Sequence, residues 1–351
     1  MGLTKTQSGG LEDQSVTLAK LEHGTSSNDG KFLRANNGAD PTFETVSGGV
    51  TSDGQENTVA GTGAGTSFDG TNATRNSLFG KNAGNSITGG DENTAIGTFS
   101  LEDTTSGDFN VAIGESALRR NVSGNRNTAI GKAALSLTVS SSNTGVGNQA
   151  LELNTTGTSN VAVGSNALDA NTTANNNTAV GFDSMTVNTT GADNVAFGMN
   201  ALRNQTTGSR NTALGRSALA NNSTANNNTA VGYAALDQNT TGANNTAVGK
   251  GALDACTTSP SNTCVGQNAG GAITTGNGEN VCVGNNAGAG MTTGQQNIII
   301  GDNACGQGTL TGNTNVIIGD NAGLVLTTGT GNVALGYRTL TSNTIKNTNT
   351  A

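Results

Sequence analysis

A chain of 351 residues with 53 Gly, 2 Pro, no Trp and 3% aromatic side chains lacks the bulk to fill a compact core, which excludes an ordinary globular domain. Charged residues make up 11%, too few for charge-driven disorder, and the net charge of −8 comes with 16 Lys and Arg scattered without a basic stripe, so nucleic acid has no electrostatic footprint to bind. No apolar run reaches the length of a membrane span and Met1 to Lys20 has no signal-peptide core, so a soluble protein made in a cytosol is expected, with sequons such as Asn154-Thr155-Thr156 unglycosylated.

Residues 1–50 differ in composition from the rest of the chain, with Leu11 to Lys20 and Lys31 to Val46 carrying most of the local apolar and charged residues, and they read as a small separate module. Two stretches, Ser15-Val-Thr-Leu-Ala-Lys-Leu-Glu-His23 and Gly30-Lys-Phe-Leu-Arg-Ala-Asn-Asn-Gly-Ala-Asp-Pro-Thr-Phe-Glu44, are similar to N-terminal segments of marine bacteriophage tail fibres. That resemblance implies attachment to a virus particle through 1–50; the other reading is a disordered leader ahead of a rod. Residues 51–75 read as a linker or a degenerate first coil, with Asn57-Thr-Val-Ala-Gly61 an imperfect copy of the next motif.

From 76 to 340 one unit returns sixteen times, its leading Asn at 76, 93, 110, 127, 143, 160, 177, 194, 211, 228, 245, 262, 280, 297, 315 and 332, a step of 17 with one 16 and two 18s. A one-residue slip inside a strand would exchange its faces, so the slack belongs in turns. With Asn as position one, position three is usually Ala, position four is always large and apolar (Phe79, Ile96, Val163, Phe197, Leu335), position five is Gly and position eight is small. Position four is read as core, the Gly as a corner at positive φ, and Thr189-Thr190-Gly191 and its equivalents as a second turn. The period fits one coil of a parallel β-solenoid, with Asn stacked on Asn; about 4.8 Å per coil gives a rod of about 75–80 Å. Residues 341–351 read as a C-terminal tail.

Position nine is Leu or Met from Leu101 to Leu253 but Gly or Cys in five units (Gly84, Gly270, Gly288, Cys305, Gly323), and there an apolar residue comes a few places on (Ile87, Ile273, Met291, Leu310, Leu326). One interior space is thus filled from two directions, which conserves volume per coil. So few bulky side chains per coil offset only part of the ordering cost, so an oligomer is expected, with the Ala column as the face presented to sister chains.

The units Asn177-Thr-Ala-Val-Gly181 and Asn110-Val-Ala-Ile-Gly114 resemble the head repeats of trimeric autotransporter adhesins and, more closely, repeat arrays of bacteriophage tail fibres, over residues 76–340. The resemblance implies a left-handed parallel β-roll packed as a homotrimer. It also implies a structural fibre of a virion, assembled in the host cytoplasm, with the N-terminus on a tail, neck or capsid protein and the rod projecting toward a host surface glycan or protein for adsorption. Other readings are a cell-surface or ice-binding solenoid adhesin and a polysaccharide depolymerase.

An enzyme is not expected, and no residue is read as catalytic, cofactor-binding or metal-ligating. His23, the only histidine, lies in the N-terminal module, away from any rigid scaffold a catalytic site would need. Cys256, Cys264, Cys282 and Cys305 form no C-x-x-C pair and fall on interior lattice positions, which suits buried reduced thiols; Cys264 and Cys282 share position three of consecutive coils, within disulfide reach. Asp302 and Asp320 stack at a spacing near that of a retaining glycosidase, but without aromatic platforms or a groove they read as solvated carboxylates. Gly124 to Lys132 mimics a phosphate loop but lacks the Gly-Lys-Ser/Thr that would make it one.

Overall fold

The computed structural model describes residues 31–36, 39–45, 50–342 and 347, and the chain divides into two compact units, Met1–Thr51 and Ser52–Ala351. In the first, β1 (Lys31–Asn36) and β2 (Ala39–Thr45) pair antiparallel, Lys31 opposite Thr45 and Asn36 opposite Ala39, with a register shift between Arg34 and Asn36. Most of the remainder of 1–50, including His23, and nearly all of 343–351 lie outside the described residues.

The second unit is a parallel β-solenoid, and no helix occurs among the described residues. Three-residue strands from Thr58–Ala60 to Val333–Leu335 stack in one ladder, each pairing in register with the next, as Thr178 with Val195, Ala179 with Ala196 and Val180 with Phe197. Asn57-Thr-Val-Ala-Gly61 takes part fully: Thr58, Val59 and Ala60 lie opposite Ser77, Leu78 and Phe79.

The turns belong to the ladder as much as the strands do. In the coil that begins at Asn177, the Gly181 N–H donates to Val163 O of the preceding coil at 2.8 Å, Met185 N–H to Ala201 O of the next at 3.0 Å, and Thr189 N–H to Thr206 O at 2.9 Å. Position five must be Gly: at φ 135° a Cβ on Gly181 would stand 2.6 Å from the carbonyl of Gly198 in the next coil. Positions seven, nine and seventeen are also left-handed, at φ 52° for Asp183, 52° for Met185 and 59° for Asp193. For a residue with a Cβ that conformation costs about 1–2 kcal/mol, and at position nine burial of the Leu or Met side chain, worth about 1.5–3 kcal/mol, offsets it.

The leading Asn side chains form an unbroken buried ladder from Asn57 to Asn332. Asn194 N–H and Nδ2 both donate to Asn177 Oδ1, at 3.0 and 3.1 Å, while Asn177 Nδ2 donates to Gly191 O at 2.9 Å in the closing turn of its own coil. The backbone donation from each Asn to the side chain of the one before repeats at every step, from Asn76 to Asn57 through Asn332 to Asn315. Each amide therefore satisfies a backbone N–H and a backbone carbonyl that the corner would otherwise leave unpaired.

The interior corrects two expectations. Position three, not position four, points inward: Ala95, Ala112, Ala162 and their equivalents are fully buried, while Ile96 is 43% exposed and Phe197 56%. The core is built from positions three, eight, nine and twelve, with Asn at one. Consequently the Ala column cannot be a face for sister chains, because it already packs inside its own coil; the outward face of the strands carries the large apolar residues instead. The reason is room. Adjacent strand positions alternate sides, and once a Leu from position nine occupies so narrow a coil, only Ala fits opposite it.

The volume exchange noticed at positions nine and twelve extends to position three. The five coils with Gly or Cys at nine carry Leu78, Cys264, Cys282, Ile299 and Ile317 at three, where the Leu and Met coils carry Ala or, at Gly145, Gly. A Cβ on Gly84 would lie 2.7 Å from Leu78 and 2.8 Å from Ile87, and one on Gly270 would lie 2.7 Å from Cys264 and 2.9 Å from Ile273. In the Leu and Met coils before that of Asn245 position twelve is polar and builds a second buried ladder: Asn171 Nδ2 donates to Asn154 Oδ1 at 2.8 Å, and the chain of amides continues through Asn188, Gln205 and Asn222 to Asn239.

Candidate functional site

The most extensive candidate surface is the outward side of the strand ladder. Position four presents Phe79, Ile96, Ile113 and so on to Leu335, while position two, after Ser77, is Thr, Val or Ile. Over sixteen coils neither column contains a charged residue. These side chains stand in register because their strands do, as Ile113 beside Ile130 and Val163 beside Val180. Soluble monomers rarely leave a contiguous apolar band of this kind open, since water contact with it is unfavourable along its whole length. Beyond the Gly corner, position six adds exposed Phe182, Met199, Tyr233 and Tyr337.

Of the residues that suggested chemistry in the sequence, the four cysteines occupy interior positions of the coils. Cys264 and Cys282 are register partners in neighbouring strands, and all four thiols are free and buried. The hydrogen bond with Cys282, together with burial, holds the Cys264 thiol protonated, and burial pushes Cys256 and Cys305 up to about 12. None of these three is therefore a thiolate nucleophile near neutral pH. Cys264 and Cys282 are the position-three partners of Gly270 and Gly288, and Cys256 ends the second amide ladder with its Sγ 3.4 Å from Ser259 O.

Asp302 and Asp320 occupy position six of successive coils, both exposed. Asp302 accepts from Asn285 Nδ2 at 2.9 Å and from Asn303 Nδ2 at 3.2 Å, and Asp320 from Asn321. These amides ring the carboxylates on an open surface and supply neither burial nor a positioned water route for acid–base work. Among the described residues no group of three His, Cys, Asp or Glu is gathered as a metal ion would require.

One carboxylate is electrostatically unusual. Burial, with the nearby Glu152 and Asp183 adding to it, raises Asp169 to about 6, and its Oδ1 has no hydrogen-bond partner. Surface ion pairs bridge adjacent coils in the N-terminal half, Arg75 with Glu92 at 2.7 Å and Arg119 with Glu102 at 2.7 Å; exposed pairs of this type contribute little stability.

Sequence reasoning located the position-four column but reversed its direction, and it missed the second amide ladder, whose signal was the recurrent Asn eleven residues after the first. No family model matches the chain, and no curated protein matches it.

Proposed function

We propose that this chain is the structural fibre of a bacteriophage virion: a left-handed roll whose copies pack as a homotrimer through the outward stripe, with the N-terminal segment attached to the particle and the coils projecting toward the host for adsorption. The observation that carries the reading is the stripe itself. It is uncharged, runs the length of the ladder and repeats at one interval, so the partner that matches it in length and spacing is a second copy of the same surface. Buried amide ladders and coil-to-coil bonds supply a stiff spacer, which suits a fibre.

The ice-binding reading is less well supported. Thr155, Thr172, Thr189 and Thr206, the inner members of the paired threonines, spend their hydroxyls on carbonyls of the next coil at 2.9–3.1 Å. One outer file of Thr remains, not a flat two-rank face. Negative-stain imaging and sedimentation of the purified full chain test the fibre reading. Trimeric rods are expected; isolated globules or a stable monomer would end it.

A further inference from the structure

The position-six and position-seven columns contain one interruption that the fold does not require. Position seven is left-handed in every one of the sixteen coils, yet fifteen carry a side chain there, from Asn82 (φ 56°) to Arg338 (φ 55°); the exception is Gly251 at φ 64°. Space does not demand the glycine either, because a Cβ at Gly251 would meet nothing closer than 3.6 Å. The omission opens a depression of about 250 Å³ lined by Tyr233, Lys250, Gly251, Asp254, Gln267 and Asn268, drawn from three successive coils.

The chemistry lining it is specific in kind. Tyr233 is 51% exposed, and Arg216 of the preceding coil braces its ring with the guanidinium 5.9 Å from the centroid. Apart from Ala234 of the same coil, the other lining residues come from the two following coils, whereas Arg216 comes from the preceding one. Asn268 Oδ1 and Asp254 Oδ2 bracket the vacant Cβ position at 3.6 and 3.7 Å. Burial raises the Asp254 carboxyl against the opposing backbone N–H groups of Ala255 and Asp254 itself, and because a carboxylate has about four acceptor sites it retains capacity for a ligand. The Lys250 ammonium and the Gln267 amide add donors. The volume is below the about 300–1,000 Å³ of sites for drug-sized ligands, which suits a single ring-sized unit.

The geometry points to a saccharide subsite in which one neutral sugar ring lies against Tyr233 and its hydroxyls bond Asp254, Asn268, Gln267 and Lys250 around the gap at Gly251. An apolar C–H face for the aromatic ring and paired hydroxyls for a carboxylate and two amides are what a pyranose offers. The column leading to it, Phe182, Met199, Arg216 and Tyr233, provides further apolar and stacking surface one coil apart. Its biological meaning rests on the fibre reading; the binding chemistry does not.

The test is saturation-transfer NMR, then titration, of the full chain with glucose, galactose, mannose and N-acetylglucosamine in turn. Transfer to at least one sugar is expected. Gly251→Asn, which restores the residue found at this position in the next coils and so keeps the fold, is expected to weaken that binding about tenfold or more, as is Tyr233→Ala. Tyr337→Ala, in the same column but remote, leaves binding unchanged. Absence of transfer from all four sugars, retention of binding in Gly251→Asn, or an equal loss in Tyr337→Ala would each overturn the subsite. Sedimentation of the same samples reports separately on the fibre reading, since a failed subsite in trimeric rods leaves that reading intact.

Discussion

Asn177 shows how one side chain can maintain a corner. Its Oδ1 takes the backbone N–H and the amide of Asn194, and its Nδ2 takes Gly191 O. Asn177→Ala therefore strands buried groups on two coils, at about 1–3 kcal/mol for each group left unpaired. Because repeat arrays open locally, the expected result is faster hydrogen exchange at the Asn194 amide and its neighbours, with distant coils such as that of Asn315 unaffected. Asp169 supplies the pH dependence at this scale. Its folded pKa of about 6 lies above the ordinary aspartate value of 3.8 because burial disfavours the charge. The native state then binds more protons than the unfolded chain between those values, and this group's contribution to stability declines as pH rises from about 4 to about 6 and levels off above. Asp169→Asn is expected to raise the melting temperature at pH 7 and to remove that part of the decline.

At the scale of the coil, positions three, nine and twelve behave as one volume with two solutions. A Leu at nine accepts left-handed strain and leaves room for Ala at three and an amide, Thr or Cys at twelve, as in Ala247, Leu253 and Cys256. Glycine at nine is free of that strain and is compensated from three and twelve, as in Cys264, Gly270 and Ile273. Gly270→Leu alone forces a side chain into atoms 2.7 and 2.9 Å from its Cβ, and overpacking of this kind costs about 1–3 kcal/mol. Adding Cys264→Ala and Ile273→Cys copies the preceding coil's trio and is expected to recover most of the loss. Urea denaturation of the single and triple variants checks this, and an additive result would show that the three positions are not coupled.

For the molecule as a whole, the stripe is decisive. Val163→Asp with Val231→Asp places charges on strand positions whose side chains face outward, so the coils are expected to keep their circular dichroism while the proposed trimer dissociates on sedimentation. Loss of β signal in the variant would instead place these residues inside the fold. The period of seventeen, the Asn ladder and the Gly corner were legible in the chain alone, because each is a repeated local requirement: a buried amide must meet its own copy, and a φ near 135° under a carbonyl excludes any Cβ. The exchange between Leu101-type and Gly84-type units was legible in part, through positions nine and twelve, while Leu78 and Ile317 at position three passed unnoticed. Only the tertiary structure decided which side of the three-residue strand is interior. Hydrophobicity favours placing Val180 inside and Ala179 outside, but the space across the coil is already taken by Met185, and in so thin a cross-section steric volume outweighs apolar preference, turning the larger residue outward.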